Sequence, residues 1–182
     1  TISSAVASVR TIWYKATVLS NVTASPANSK SKRQLVKKGT KVTVVTYGGT
    51  CKVQLPNKDM VYISLSKLNF TSSIYTKKSY SKKLKENYVN QSGYSSSTKY
   101  LIWVSQYTLS VNVFKGQQGS WKLVRRMPCV IGKDGKTSTG TFRLCRKDYA
   151  YGGVRIYFTW NEQKQWGNSF HRRVDGHTRG AY

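Results

Sequence analysis

Residues 123–142, LVRRMPCVIGKDGKTSTGTF, decide the expected fold together with the segment that leads into them. In that leading segment, residues 99–114 (KYLIWVSQYTLSVNVF), apolar and polar side chains alternate after a short apolar start. A period of two is typical of a half-buried β-strand, so we expect one strand here. Residues 115–119 (KGQQG) then predict a hairpin turn, and residues 121–127 predict the returning strand. An exposed loop rich in glycine and threonine follows, and residues 141–145 predict a further strand.

The first part of the chain also predicts β structure, but in shorter pieces. Alternating runs separated by turn residues occur between residues 14 and 70, and the strongest run is residues 41–47, KVTVVTY. About five short strands in this length are typical of a small barrel. Residues 71–98 are rich in serine, lysine and tyrosine and predict a basic linker. Within it we expect a short helix over residues 79–89, with Ser81 as its N-cap.

The chain is strongly basic. Its 182 residues include 31 Lys and Arg against 6 Asp and Glu, which gives a formal net charge of +25. A field of this sign attracts polyanions such as nucleic acids, anionic lipid surfaces and anionic cell-wall polymers. The basic residues are scattered, and no zinc-finger spacing, basic-zipper repeat or aromatic RNA-binding signature accompanies them. We therefore favour a solvated surface suited to an anionic surrounding, and nucleic acid is not the expected partner. No apolar run approaches the length that crosses a bilayer.

Four motifs in the second half of the chain carry a resemblance to a known family. They are VSQYTLSV, KLVRRMPCVIG, TSTGTF and SFH, and their matched residues are Ser105, Gln106, Leu109, Val111, Leu123, Val124, Pro128, Gly132, Thr139, Gly140, Thr141, Phe142, Ser169, Phe170 and His171. In this order and at these spacings, they resemble the opening half of the L,D-transpeptidase (YkuD-like) catalytic domain. The resemblance covers residues 99–171, so we expect residues 99–182 to be the first part of a β-sandwich domain of this type.

A second resemblance lies in the first half. The segments LVKKGTKVTV, CKVQL and VYISLSKL, within residues 35–68, are similar to bacterial SH3-like domains. Cys51 occupies the position where those domains usually have tryptophan, and Val61 the position where they usually have glycine. The expected fold is therefore mainly β: a small SH3-like barrel over residues 10–70, the linker over residues 71–98, and then the transpeptidase-type domain.

The resemblance implies a peptidoglycan L,D-transpeptidase, which cross-links stem peptides by acyl transfer through a cysteine thiolate. It implies that His171 is the general base and that the backbone carbonyl of Arg172 orients its imidazole. A histidine suits this role because imidazole exchanges a proton near neutral pH. The resemblance assigns no substrate-binding residues, and no metal or organic cofactor is expected.

The same resemblance sets the expected partners and location. The partners are peptidoglycan stem peptides and, through the basic surface, anionic wall polymers. The expected location is extracellular and associated with the cell wall. A start at Thr1, followed by small and β-branched residues, is what a mature exported protein shows after signal removal, and equally what a chosen boundary shows.

The family's nucleophile lies in a Ser-His-Gly-Cys-x-Arg motif downstream of the histidine, and residues 1–182 do not contain it. We expect either a truncated piece of a longer enzyme or a degenerate copy, and we favour truncation. The second histidine, His177, does not map onto the motif and is expected to be a solvent-exposed tail residue. Cys51, Cys129 and Cys145 are odd in number and lack C-x-x-C spacing, so a disulfide scaffold or a structural zinc site is not expected. Cys129 and Cys145 follow apolar positions at strand ends and are expected to be inert, although pairing between them stays open.

The main alternative is a protein of another class. A non-catalytic cell-wall binding protein would use the SH3-like domain and the basic surface, and its binding would fall steeply with salt. A nucleic-acid binder would show the same salt dependence, but it would prefer duplex or single strands over wall polymers.

Overall fold

The computed structural model describes residues 4–10, 12–46, 48–132, 137–165 and 167–172. The chain is mainly β, and within these residues every strand pair is antiparallel. This confirms the predicted fold class at its coarser level. Two compact units are present, Thr1–Asp134 and Gly135–Tyr182, and each is described separately.

A seven-stranded sheet forms the larger part of the first unit. Its strands are β1 (Trp13–Val18), β2 (Val22–Pro26), β3 (Gln34–Val36), β4 (Lys41–Thr46), β5 (Thr50–Gln54), β6 (Met60–Ser64) and β7 (Leu68–Ile74), with a 3-10 turn at Leu65–Lys67. They pair in the order β3-β2-β6-β5-β4-β1-β7. In the described part of the chain no pairing joins β3 to β7, so the sheet is not a closed barrel. The predicted run over residues 41–47 is β4, and Tyr47 lies outside the described residues.

The core of this sheet follows from the alternation of its strands. One face carries apolar side chains that are at most 6% exposed, among them Tyr14, Ala16, Val18, Val42, Val44, Cys51, Val53, Val61 and Ile63. Complete burial of a valine or isoleucine side chain contributes about 1.5–3 kcal/mol, so this face supplies most of the stability of the sheet. Cys51 is one of these core residues.

A helix and three further strands complete the first unit. They are α2 (Lys82–Gln91), β8 (Tyr100–Ser105), β9 (Ser110–Lys115) and β10 (Lys122–Pro128), and the strands pair in the order β10-β9-β8. The short helix α1 (Ser4–Ser8) lies against α2. Val89 of α2 packs with Phe114 and Trp121 in a second core, where each of the three side chains is fully buried. The predicted hairpin after residue 114 and its returning strand are confirmed.

The prediction of one strand over residues 99–114 is wrong. A turn at residues 106–109, in which Leu109 has φ +47°, separates β8 from β9. The buried face of β9 carries Ser110, Asn112 and Phe114, whereas Val111 and Val113 are only partly buried. The polar side chains tolerate burial because they bond to one another and to the backbone: Asn112 Nδ2 donates to the carbonyl of Trp103 at 3.2 Å and to Ser110 Oγ at 3.1 Å.

The predicted linker contains ordered structure. β7 runs into it as far as Ile74, and α2 occupies its middle. The division between the two compact units falls later in the chain, between Asp134 and Gly135. The domain boundary predicted at residues 71–98 stays a prediction. A hydrogen bond from Tyr14 Oη to Gln106 Oε1, 3.4 Å long, connects β1 with the turn between β8 and β9.

The N-cap predicted at Ser81 is present. Ser81 Oγ accepts a hydrogen bond from the Leu84 N–H at 3.2 Å, which satisfies one of the unpaired donors of the first helical turn. Replacing Ser81 with alanine is expected to lower the free energy of unfolding by about 1 kcal/mol. Urea denaturation checks this, with Ser79→Ala as the control because Ser79 lies outside the helix. Equal losses from both variants would contradict a capping role.

The second unit contains a small three-stranded sheet. Its strands are β11 (Arg146–Ala150), β12 (Gly153–Tyr157) and β13 (Ser169–Phe170), paired in that order. The strand predicted over residues 141–145 is wrong, since this segment is irregular and β11 begins one residue later. Side-chain burial explains the difference, because Phe142 packs on another aromatic ring while Leu144 stays 54% exposed and no sheet partner faces it. Among the described residues, no helix combines the length and the apolar character that a membrane crossing requires.

Candidate functional site

His171 follows directly after β13 and is exposed. Its Nδ1 atom lies 2.8 Å from the carbonyl oxygen of Arg172. A carbonyl only accepts hydrogen bonds, so Nδ1 carries the proton in this contact. In the neutral ring Nε2 then holds the free lone pair, which is the atom that a general base uses.

The ring of Tyr151 lies beside this imidazole, with 5.0 Å between the two ring centroids. Tyr151 and Gly152 form the two-residue turn between β11 and β12 and have φ values of +55° and +68°. Glycine adopts such values readily, whereas a residue with a Cβ is strained there by about 1–2 kcal/mol. The turn therefore holds an aromatic residue in an unfavourable backbone conformation directly against the candidate base.

The side chain of Arg172 holds this residue in place, and its backbone carbonyl is the one that contacts His171. Its Nη1 donates to the carbonyl oxygen of Gly152 at 3.1 Å. A Cβ on Gly153 would lie 3.1 Å from Arg172 Cδ, which is closer than nearly all such contacts, so the glycine leaves room for the arginine. The turn thus positions both the ring of His171 and the carbonyl beside it.

The neighbouring side chains of β11 and β12 form a charged cluster. Arg155 donates from Nε and Nη2 to the two carboxylate oxygens of Asp148, each at 2.8 Å, and Tyr157 Oη donates to Asp148 Oδ2 at 3.2 Å. The Arg155 guanidinium lies 4.8 Å from the ring centroid of Tyr157 and 5.6 Å from that of Tyr151. Asp148 and Arg155 are directly opposite in the hairpin register, so the pair also fixes the alignment of the two strands. This cluster reaches the candidate base through Tyr151.

The hydrogen bonds from Arg155 are the main cause that holds the pKa of Asp148 below its ordinary value. A carboxyl group whose pKa is lowered by folding stabilises the folded state fully at any pH above its unfolded-state pKa, which is about 3.9. This stabilisation is lost as the pH falls through the pKa that the group has in the folded state. Asp148→Asn is therefore expected to lower the stability of the second unit at pH 7, and the difference from wild type is expected to disappear in acid. Thermal unfolding at both pH values measures this, with the exposed Glu162 changed to glutamine as the control. A stability difference that persists unchanged in acid would contradict the ion-pair explanation.

A row of aromatic rings joins the TSTGTF and SFH segments. The ring centroid of Phe158 lies 5.5 Å from that of Phe142 and 5.2 Å from that of Phe170, the residue before His171. Ser138 N–H also donates to Asn168 Oδ1 at 3.0 Å. The structure therefore brings together two segments whose residues, Thr139–Phe142 and Ser169–His171, were singled out from the sequence.

Cys145 does not lie beside His171, although both belong to the second unit. Its backbone N–H donates to the carbonyl of Tyr157, just before β11 begins. His171 comes one residue after the Ile156–Phe170 pair, on the far side of β12. At roughly 3.3 Å per residue and 4.8 Å between strands, the register puts the backbone of Cys145 on the order of 12 Å from that of Phe170, the residue before His171. Burial raises the pKa of the Cys129 thiol to about 11 and also raises the pKa of Cys51, so both stay protonated at neutral pH.

The second histidine and possible metal ligands complete the survey of candidate site residues. His177 lies outside the described residues. Where the structure describes the chain, no group of three or more His, Cys, Asp and Glu side chains is placed to hold a metal ion. Sequence reasoning missed Asp148, Tyr151 and Arg155, because their association depends on the β11–β12 hairpin. Comparisons of the chain with models of protein families, with curated proteins and with solved structures find no match.

Proposed function

We propose that the chain is part of a peptidoglycan L,D-transpeptidase in which His171 is the general base. The observation that carries this proposal is the 2.8 Å contact between His171 Nδ1 and the Arg172 carbonyl, which leaves Nε2 as the basic atom. This is the arrangement that the motif resemblance implies for the family. Arg172 acts through its backbone and is a positioning residue.

The reaction has two acyl-transfer steps. A cysteine thiol gives its proton to His171 Nε2, and the sulfur attacks the carbonyl carbon of the third residue of a donor tetrapeptide. The C–N bond to D-alanine breaks, and the imidazolium returns the proton to the leaving amine. An acceptor amine then attacks the thioester carbonyl, gives a proton to the imidazole, and displaces the thiolate as the cross-link forms. Because residues 1–182 contain no Ser-His-Gly-Cys-x-Arg motif, the proposal takes this thiol from a cysteine outside them.

Each of the two sheets described below is assigned to a domain type in this proposal. The seven-stranded sheet is assigned as an SH3-like module, supported by its short antiparallel strands and by the KKGTKVTV segment, which contains the β3–β4 turn and the first four residues of β4. The three-stranded sheet with His171 is assigned to a β-sandwich catalytic domain of which residues 99–182 are the first part. An extracellular, wall-associated location follows from the proposed substrate.

The test uses the full natural gene product with a disaccharide tetrapeptide as donor and a second stem peptide as acceptor. We expect release of one D-alanine for each cross-link, with both products identified by mass spectrometry. The coding sequence read past residue 182 should carry Ser-His-Gly-Cys-x-Arg. A coding sequence that stops at residue 182, or a longer product that releases no D-alanine from any donor stem, would overturn the proposal.

A second candidate function is non-catalytic binding to the cell wall. The observation that favours it is the excess of 31 basic over 6 acidic residues, which creates a field attractive to anionic polymers. Sedimentation with purified wall sacculi at increasing salt measures it. Binding that weakens steeply with salt, without any release of D-alanine, would favour this candidate over the transpeptidase.

A further inference from the structure

A basic cleft lies in the first unit beside the chain that leaves α1. It has a volume of about 340 Å³, and its lining includes Arg10, Thr76, Lys78, Ser79, Tyr80 and Tyr107. A second cavity of about 230 Å³ shares Ser8 with this cleft and continues past Lys83 and Asn87 of α2. None of the described residues that line the two cavities is acidic. The two cavities share Ser8, the last residue of α1, and together they are called the groove.

The lysines of this groove come from a dense basic run of the chain. Residues 76–85, TKKSYSKKLK, contain five lysines and no acidic residue. A run of this kind is often a solvated, disordered segment, because like charges repel. Here it is ordered, so a separate set of contacts has to hold it in place.

Three hydrogen bonds fix the backbone beside the cleft. The Thr76 N–H donates to the carbonyl of Tyr107 at 2.7 Å, and the Lys78 N–H donates to Thr76 Oγ1 at 3.2 Å. The backbone N–H of Arg10 donates to Tyr80 Oη at 3.0 Å, which ties the segment after α1 to the segment before α2. The backbone at Arg10 and at Lys78 is therefore held beside one cleft that both residues line, and a backbone ordered in advance lowers the entropy lost on binding.

The lining favours one ligand chemistry. The ring of Tyr80 stacks on Trp103 at 6.3 Å and contacts Tyr107 at 6.5 Å, so these rings are engaged within the protein. Single-stranded nucleic acids bind by stacking their bases on open aromatic faces in a basic groove. What this groove offers instead is guanidinium and ammonium groups. Beside them, the hydroxyls of Thr76 and Tyr80 accept from backbone N–H groups and keep their own protons to donate. These groups match a polymer that carries repeated anionic groups and many hydroxyls.

We propose that the groove formed by Arg10, Lys78 and Lys83 binds a linear polyol phosphate. Arg10 and Lys78 contact one phosphate in the larger cleft, and Lys83 contacts a further phosphate along the same chain. The inference names a ligand and a site for the wall-binding candidate. It uses neither His171 nor acyl transfer, so it stands or falls separately from the transpeptidase proposal.

The experiment compares two double variants of the full chain that remove the same charge. Arg10→Gln with Lys78→Gln changes the groove, and Lys32→Gln with Arg33→Gln changes an exposed pair in the loop between β2 and β3. Binding of poly(glycerol phosphate) is titrated at several salt concentrations, with oligo(dT) of equal phosphate number and neutral dextran as comparison polymers. Thermal unfolding of each variant verifies that the fold is retained.

We expect the groove variant to lose about tenfold or more in affinity for poly(glycerol phosphate). The slope of log affinity against log salt should become shallower by about one, because Arg10 and Lys78 together neutralise one phosphate. The loop variant should change both quantities by less than half as much, and dextran should not bind. Equal losses in the two variants would overturn the proposal in favour of a nonspecific charge effect. Tighter binding of oligo(dT), lost in the groove variant, would overturn it in favour of a nucleic-acid site.

Discussion

Replacement of Trp121 by alanine is expected to lower the free energy of unfolding of the first unit by about 3–5 kcal/mol. Trp121 is fully buried between α2 and the β8–β10 sheet, together with Val89 and Phe114. Its indole Nε1 donates to the Tyr94 carbonyl at 2.8 Å. Removal of the ring leaves a cavity in the core and takes the indole donor away from a partly buried carbonyl, so two losses add.

The backbone of Trp121 has its own partner, which makes the prediction specific to the ring. Asn90 Oδ1 accepts from the Trp121 N–H at 2.7 Å, and Asn90 Nδ2 donates to the Trp121 carbonyl at 3.1 Å. These bonds survive the substitution by alanine. Urea denaturation measures the loss, with Tyr100→Ala on β8 as the control because its ring is 44% exposed and its removal should destabilise by at most about 1 kcal/mol. A Trp121 variant no less stable than the Tyr100 variant would contradict the central position of the ring.

Local signals account for the parts of the fold that the sequence predicts well. β4 has strong alternation and β-branched residues, the β9–β10 turn has two glycines, and Ser81 supplies a helix cap; each depends on interactions between near neighbours. The pairing of β2 with β6 and of β1 with β7 depends on contacts between residues distant in sequence. No periodicity within one strand carries information about such partners, and so the order of the seven strands could not be predicted.

The inverted face of β9 shows a second limit. Alternation predicts that Val111 and Val113 are buried, but the buried positions are Ser110, Asn112 and Phe114. The large ring of Phe114 packs with Val89 and Trp121. On the same face Asn112 Nδ2 donates to Ser110 Oγ, whose hydroxyl also bonds to that of Thr108, whereas Asn112 Oδ1 is buried without a partner among the described residues. A hydrophobicity pattern treats buried polar residues as exposed, so it assigns the wrong face when a hydrogen-bonded network is buried with the core.

The residues of the candidate site also differ in how far the sequence alone predicts their association. His171 and the carbonyl of Arg172 are adjacent in sequence, so a motif resemblance is enough to pair them. The β11–β12 hairpin is what brings Tyr151, Arg155 and Asp148 to this pair. The sequence did not predict this hairpin, because it placed a strand at residues 141–145, before the observed β11. Asp148 and Arg155 are each single charged residues without a recognisable spacing, and their pairing becomes visible only from the register.

Substitution of His171 by alanine in the full gene product is expected to lower kcat/KM for D-alanine release by about 10²–10⁴-fold. The variant removes the Nε2 lone pair that accepts the thiol proton, while the Arg172 side chain keeps its bond to the Gly152 carbonyl. Because His171 is exposed, its loss leaves no buried cavity, and the thermal unfolding temperature should change little. A large loss of rate without a loss of stability is what separates a base from a structural residue.

The matched control is His177→Ala, which removes the second histidine of residues 1–182 and should retain wild-type activity. His171→Gln adds a second comparison, because it keeps a polar side chain of similar reach without a basic nitrogen and should be as inactive as the alanine variant. If glutamine restores activity, His171 contributes hydrogen bonding and not proton transfer. If the His177 variant loses more activity than the His171 variant, the base is assigned to the wrong histidine, and the orientation of the imidazole by Arg172 has no catalytic role.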